Sequence, residues 1–319
     1  MQLLANMPKV SVIIPVYGVE KYIERCAKSL FEQTLDDIEY LFIDDCTPDK
    51  SIEILKKVLD RYPHRKKQVL IHRTECNSGQ AKVREWGMKH VTGEYVIHCD
   101  SDDWVGTEMY KMLYEKAVRE NADLVLCDYQ WHDDEKSLQT KKGCLKADKD
   151  SLERDLLNER CEWALWNKLF KKSLIDKIEY YPSNNMGEDM VMVMQMLFSC
   201  TKIVYLPHTY YFYYFNPDSI LRQNSPSSII NKYSQYNANV NLLLKFYSSK
   251  EQLKKLADDI GWLKYTVRKS LYFNYKEVRA IRKRVYPLIE FKLLFNPSIR
   301  ARQKKELLKV LIDQLLRRI

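Results

Sequence analysis

The chain has 319 residues, 45% of them hydrophobic and 30% charged, with a formal net charge of +9. That composition is of the soluble globular kind and the length suits one large domain or two moderate ones. No apolar run approaches the ~18 residues of a membrane span, and the start, MQLLANMPKV, is too short and too weakly apolar for a signal peptide. Eight cysteines without a CxxC pair fit reduced, mostly buried thiols of a cytosolic protein and exclude a zinc or disulfide framework. None of the eight glycines completes GxGxxG or GxxxxGK[ST], which excludes the dinucleotide fingerprint and the P-loop.

Residues 9–16, KVSVIIPV, are a short β-branched apolar run ended by Pro15, the pattern of a buried strand. Val19, Tyr22, Ile23, Cys26 and Leu30 share one stripe, which predicts a helix over 19–34. EYLFIDD (39–45) is a second strand and residues 49–62 a helix capped by Asp49 or Ser51. VLIHR (69–73) is a third strand, 78–91 a helix, EYVIHC (94–99) a fourth strand, 107–121 a helix and ADLVLCDYQW (122–131) a fifth strand. This alternation predicts an α/β fold with a mainly parallel sheet and helices on both faces. Ligands of such sheets sit outside the carboxyl ends of the strands. Pro15–Tyr17, Asp44–Asp45 and Asp100–Asp103 then share one edge. Residues 132–150 read as a polar loop or ragged hairpin, and 151–177 as a helix carrying Trp163 and Trp166. Residues 187–200 read as a helix opening on acids, and 202–215 as an extended run broken at Pro207. From about 228 the pattern is helical, with breaks at Pro287 and Pro297.

Several clusters admit two readings. Asp100 and Asp102, two apart in extended chain, project to one side and can share a hard divalent cation, or form a solvated acidic turn. Asp45 can accept from a base or a ribose hydroxyl, or belong to a turn. Arg84 suits a diphosphate or a uracil carbonyl, or a solvated helix face. Glu188 and Asp189 in a first helical turn complement the helix dipole, a position that lowers basicity. The run YYFYYF (210–215) suits sugar stacking or a core strand.

Taken together, VSVIIPVYGVEKYIERCAKSLFEQT, IDDCTPD, NSGQAKVREWGMKHVTGEYVIHCDSDDW and GEDMVMVMQML resemble, in order and spacing, the inverting family 2 glycosyltransferases over about residues 9–220. The resemblance implies the nucleotide-sugar-binding GT-A fold over 1–225, followed by a basic helical region over 226–319. It implies that Pro15 and Tyr17 line a nucleobase pocket with Glu20 just beyond, that Asp45 bonds uracil, and that Arg84 lies near the base. Asp100, with Ser101 beside it, would contact ribose or metal-bound water. Asp102 would hold Mn2+ or Mg2+, and Asp189 would be the catalytic base. Trp166-Asn167-Lys168 and Ser219 match segments flanking the base. Gly18 stands where the family has Asn, Glu85-Trp86 replaces Asn and a small residue, and His98 replaces an apolar one; we read His98 as structural. The implied activity is metal-assisted transfer of a sugar from a nucleotide diphosphate donor, a UDP-sugar, to a hydroxyl of a glycan or lipid-linked acceptor, with inversion. The implied setting is surface polysaccharide biosynthesis in the cytoplasm, peripheral to the inner face of the membrane. A non-catalytic or nucleotidyltransferase-like nucleotide-sugar-binding protein is the alternative, though the first loop, PVYGVEKY, has one glycine where nucleotidyltransferases have several. A glycosidase needs no nucleotide, and nucleic-acid binding leaves the acidic edge without a purpose.

Charge is uneven: residues 251–319 carry +11 and residues 1–250 carry −2. Leu307, Leu311, Leu315 and Ile319 line one helical stripe, with Leu308, Ile312 and Leu316 beside it. Arg300, Arg302, Lys304, Lys305, Lys309, Arg317 and Arg318 are interspersed. Such a helix fits an anionic membrane surface, or packs on its own domain with its charged face in water.

Overall fold

The computed structural model describes residues 7–132, 137–144, 146–217, 219, 222–273, 291–297 and 299–316. Strands β1 (Val10–Val16), β2 (Ile38–Asp44), β3 (Val69–Arg73) and β4 (Tyr95–His98) are parallel neighbours in the order β3-β2-β1-β4. β1, β2 and β4 are largely apolar and buried along almost their whole length because both their faces are covered. On one face Val10, Val12, Ile14, Tyr40 and Phe42 meet α1 (Ile23–Phe31), α2 (Ser51–Asp60) and α4 (Met109–Glu120). On the other, Ile13, Leu41, Ile43 and Val96 meet α3 (Gln80–His90), α5 (Lys149–Leu157) and α7 (Glu188–Ser199).

Beyond β4 the sheet continues as β8 (Lys168–Lys171), β6 (Leu124–His132), β9 (Ile203–Tyr214) and β5 (Trp104–Val105), while β7 (Ser137–Lys141) pairs with β6. β8 is antiparallel to both its neighbours and β9 is parallel to β6, so β1–β4, β6 and β9 all point one way and β5, β7 and β8 run against them. The expected mainly parallel sheet is therefore present, with three short reversed strands that periodicity did not reveal.

Two expectations fail locally. The helix read over 151–177 stops at Leu157. Glu159 takes φ +53, the backbone N–H groups of Arg160 and Cys161 turn back to Asp155 O, and the chain runs through a loop into β8 and the one-turn α6 (Lys172–Ile175). Trp163 and Trp166 thus lie on that loop. Pro207 does not end its strand: β9 is continuous, and the proline sits where the register against β6 shifts at Cys127–Asp128, a bulge that spares its missing N–H.

The helical tail consists of α8 (Pro226–Ser249), α9 (Ala257–Phe273), a 3-10 turn (Phe291–Phe295) and α10 (Ala301–Leu316). Ser225 caps α8, and Pro226 occupies the first turn, where no N–H is needed. Pro297 falls in a break as expected; Pro287 lies outside the described residues. α8 and α9 send Val240, Leu243, Phe246, Ile260 and Leu263 into the same core as α7 and the sheet, with Leu256 just ahead of α9. α10 instead closes a small cluster of Trp262, Tyr265, Leu293, Ile299, Leu307, Val310 and Leu311. All eight cysteines are free and six are buried. No helix among the described residues is long and apolar enough to cross a membrane.

Candidate active site

The parallel register of β1, β2 and β4 brings their carboxyl ends together. Asp45 N–H donates to Val16 O at 3.0 Å, and Ser101 Oγ donates to Pro15 O at 2.6 Å. Tyr17 is 49% exposed on the turn after β1. Gly18 follows with φ +66, its N–H on Thr47 Oγ1, so glycine makes this turn where the related family has Asn. Glu20 N–H donates to Asp49 Oδ2, and Lys50 N–H donates to Glu20 Oε2. Glu20 thereby ties the β1 turn to the start of α2.

Asp45 is 4% exposed and accepts from Ser78 N–H and Oγ–H and from Gly79 N–H, each at 2.8 Å. It organises the loop that opens α3. That loop also meets the one before α7. Gly79 takes φ +85, and a Cβ there would lie 2.5 Å from the Asn185 amide, whose Oδ1 accepts from Ala81 N–H. Asn239, on α8, donates from Nδ2 to Asn184 O and Met186 O, both at 2.9 Å.

Arg84 occupies the centre, 3% exposed. Its Nη2 donates to Asp100 Oδ1 at 2.7 Å and its Nη1 to Glu188 Oε1 at 2.6 Å. It therefore spans from the turn after β4 to the start of α7, rather than lying on a solvated helix face. His98 is buried beside it, with burial and the Arg84 charge holding its pKa well below the ordinary histidine value.

Each acid of the turn after β4 has its own surroundings. Asp103 is wholly buried and accepts from Tyr211 Oη–H at 2.5 Å and Tyr214 N–H at 2.7 Å, which fixes β9 to the turn. Asp102 Oδ2 accepts from Asn216 Nδ2 at 3.0 Å. Arg25, packed between the rings of Trp104 and Tyr214, donates to Asp102 O. Burial, then the charge of Asp100, raises the Asp102 pKa; Asn216 and Arg25 oppose that rise without cancelling it. Sequence reasoning missed Asn216, Tyr211 and Arg25. The signal for two of them was present in YYFYYFN, which read equally well as core.

This acidic turn suits a hard cation, since an ion placed there would offset the burial of Asp102 and its repulsion from Asp100. The described residues hold no cluster of three protein ligands. Mg2+ or Mn2+ carried by one or two carboxylates and completed by substrate phosphates fits that donor set; Asp102, with Asp100 beside it, would hold it.

On the other side, α7 opens at Gly187 with Glu188 and Asp189. Glu188 is 5% exposed, and burial pushes it up to about 8 against the pull of Arg84. Asp189 is half-buried, and Oδ1 accepts from Met190 N–H at 2.8 Å. The helix start was expected to lower its basicity. Burial outweighs that: the Asp189 pKa is raised, with Arg84, the Met190 N–H and Lys168 pulling the other way. Lys168, buried, donates to Glu162 O, Ala164 O and Asn167 Oδ1, which fixes the loop from Glu162 to Asn167, and burial lowers its pKa to about 8. Gly187 takes φ +78, and a Cβ there would meet the Tyr236 ring at 2.8 Å. Gly187→Ala should therefore cost about 1–3 kcal/mol of stability through left-handed strain and the clash. Urea unfolding would show it.

The profile of "Glycosyl transferase family 2" matches residues 11–199. The glycosyltransferase EpsJ of Bacillus subtilis is 29% identical over 223 residues, covering 67% of this chain and 63% of that protein. The chain thus spans less than two thirds of that relative's length. Among solved structures, residues 1–349 of Staphylococcus aureus TarS with UDP-GlcNAc superpose with a TM-score of 0.57 at 17% identity, covering 97% of this chain and 92% of that one. The mannosyltransferase PcManGT of Pyrobaculum calidifontis with GDP-Man and Mn2+ gives 0.55 at 12% identity, covering 98% and 88%. At these identities the likeness is one of fold, the GT-A fold.

Proposed function

Because the chain belongs to glycosyl transferase family 2, we propose that it transfers a sugar from a UDP-sugar to a hydroxyl of a glycan or lipid-linked saccharide. Transfer inverts the anomeric centre, and the acceptor is presented at the cytoplasmic face of a membrane during surface polysaccharide synthesis. The observation that carries this reading is the Arg84 bridge. It holds the acidic turn after β4 and the opening of α7 in one ion-pair network, as a displacement between a departing diphosphate and an arriving hydroxyl requires. That TarS and PcManGT are described with UDP-GlcNAc and with GDP-Man and Mn2+ supports a nucleotide sugar and a divalent ion.

In this reading Pro15 and Tyr17 border the nucleobase. Asp45 holds the loop beside it and offers its carboxylate to the uracil edge. Asp100 and Ser101 sit under the ribose, and Arg84 holds Asp100 in place. A divalent ion on Asp102, when bound, supplies positive charge against that developing on the leaving diphosphate. Asp189 accepts the proton of the acceptor hydroxyl as it attacks from the opposite face. Burial makes Asp189 a stronger base than an exposed aspartate, and Arg84 and Lys168 limit that rise. One base is enough, since the diphosphate leaves as an anion.

Calorimetric titration of a UDP-sugar, with chelator and then with Mn2+, tests the donor and metal sites together. Affinity should rise with Mn2+, and Asp102→Ala should abolish that rise without unfolding the chain. Equal affinity in both conditions would remove Asp102 from this role. Metal-dependent binding without release of UDP to any acceptor would favour a non-catalytic nucleotide-sugar-binding protein.

A further inference from the structure

Ten large apolar side chains are exposed among the described residues, and four of them, Phe291, Phe295, Leu308 and Ile312, fall between residues 291 and 312. Phe295 is 80% exposed. The same stretch carries six Lys and Arg against one Glu. α10 accordingly has two apolar faces. Leu307, Val310 and Leu311 turn inward onto Trp262, Tyr265 and Leu293. For Leu307 and Leu311 this is the second of the two sequence readings, packing on the chain's own helices; Leu315 and Ile319 lie outside what the structure describes of the side chains. Lys305, Leu308, Lys309 and Ile312, spaced i, i+3, i+4 and i+7, form a second, outward face, and all four are exposed.

We infer that this outward face of α10, with the Phe291–Phe295 turn that precedes it, docks on an anionic lipid bilayer. Aliphatic side chains interleaved with lysines match the acyl–headgroup boundary: Leu308 and Ile312 enter it, while Lys305 and Lys309 reach back to lipid phosphates. A nucleic acid backbone offers the phosphates but no apolar layer for Leu308 and Ile312. The inference deepens the proposed function, and rests on it, only in its consequence that the acceptor is lipid-linked; the docking itself stands on the face alone.

The test is co-sedimentation of the full chain with phosphatidylcholine vesicles, with and without phosphatidylglycerol. UDP release from a UDP-sugar in the absence of vesicles is measured in parallel. Binding should rise with phosphatidylglycerol and fall with salt. Lys305→Gln with Lys309→Gln should weaken binding by about fivefold per lysine on anionic vesicles. Leu308→Ser with Ile312→Ser should weaken it roughly tenfold or more. Both pairs should leave UDP release unchanged. Removing residues 299–319 is the poorer experiment, since it strips Leu307, Val310 and Leu311 from the Trp262 cluster. A chain that ignores anionic vesicles at low salt overturns the docking, as do serine variants that bind like the parent. So does a change from dimer to monomer on Leu308→Ser, Ile312→Ser, which would assign the face to a second copy. Normal vesicle binding without UDP release to any saccharide acceptor supplied overturns the enzymatic reading and leaves the docking intact.

Discussion

Asp189→Asn should lower kcat by about 10²–10⁴-fold, the scale of a lost general base, with little change in affinity for the nucleotide sugar. The amide keeps the shape of the carboxylate and can still accept from Met190 N–H, but it cannot take a proton at neutral pH. Glu188, its neighbour, provides the sharpest contrast. Its carboxylate is engaged by Arg84 at 2.6 Å and almost wholly covered, whereas Asp189 is half-buried and its second oxygen takes no hydrogen bond among the described residues. Glu188→Gln should therefore act mainly through position and stability. If it were inactive while Asp189→Asn turned over, the base would be Glu188. The pH profile supplies a second reading. A base must be deprotonated, so kcat falls as pH drops through its pKa, and burial puts that limb above the ordinary carboxylate range of about 4. The charge of Asp189 raises Glu188 in turn, so the limb belongs to the neighbouring pair.

Arg84→Met should cost about 3–5 kcal/mol of stability, since it leaves two carboxylates beside a buried, uncharged side chain. The pH dependence has a definite sign. Glu188 already titrates near 8 in the folded state, above the ~4.3 of an exposed glutamate, and the variant raises it further. The folded variant thus holds its proton more tightly than the unfolded chain. Both folded forms keep that proton up to about pH 8 while the unfolded chain gives it up from about 4, so parent and variant lose stability in step over that range. Relative to the parent, the variant's deficit grows only above about pH 8, where Glu188 ionises against Arg84 in the parent and stays protonated in the variant. Chemical denaturation of both chains at about pH 7 and about pH 10 measures this directly; a deficit independent of pH would mean that the bridge acts through packing. Activity should fall with it, as Asp100 and the start of α7 lose their common anchor.

Much of this was legible in the chain. β3 spans the same five residues, VLIHR, that periodicity assigned to it, and the other strands of the first half shift by a residue or two. Strands buried on both faces announce themselves as unbroken apolar runs. Their order then places Asp45 and Asp100–Asp103 on one edge by topology alone. What was hidden is short or distant. β5 has two residues and β8 four, too few to carry a period. The partners of the functional acids lie far along the chain: 104 residues separate Arg84 from Glu188, and 114 separate Asp102 from Asn216. No local pattern encodes such pairs. The helix after Leu157 failed because one backbone reversal at Glu159 outweighs a favourable composition.

Asn239 offers a practical reading of the molecule. The loop that carries the helix start of Asp189 hangs by two carbonyls from one amide on α8, and α8 and α9 share the main core. Chimeras that exchange acceptor preference between related chains would have to be spliced after residue 273. A junction placed at residue 225 would graft a foreign helix onto the loop ahead of Asp189, and the hybrid would carry one parent's sheet edge with the start of α7 out of register.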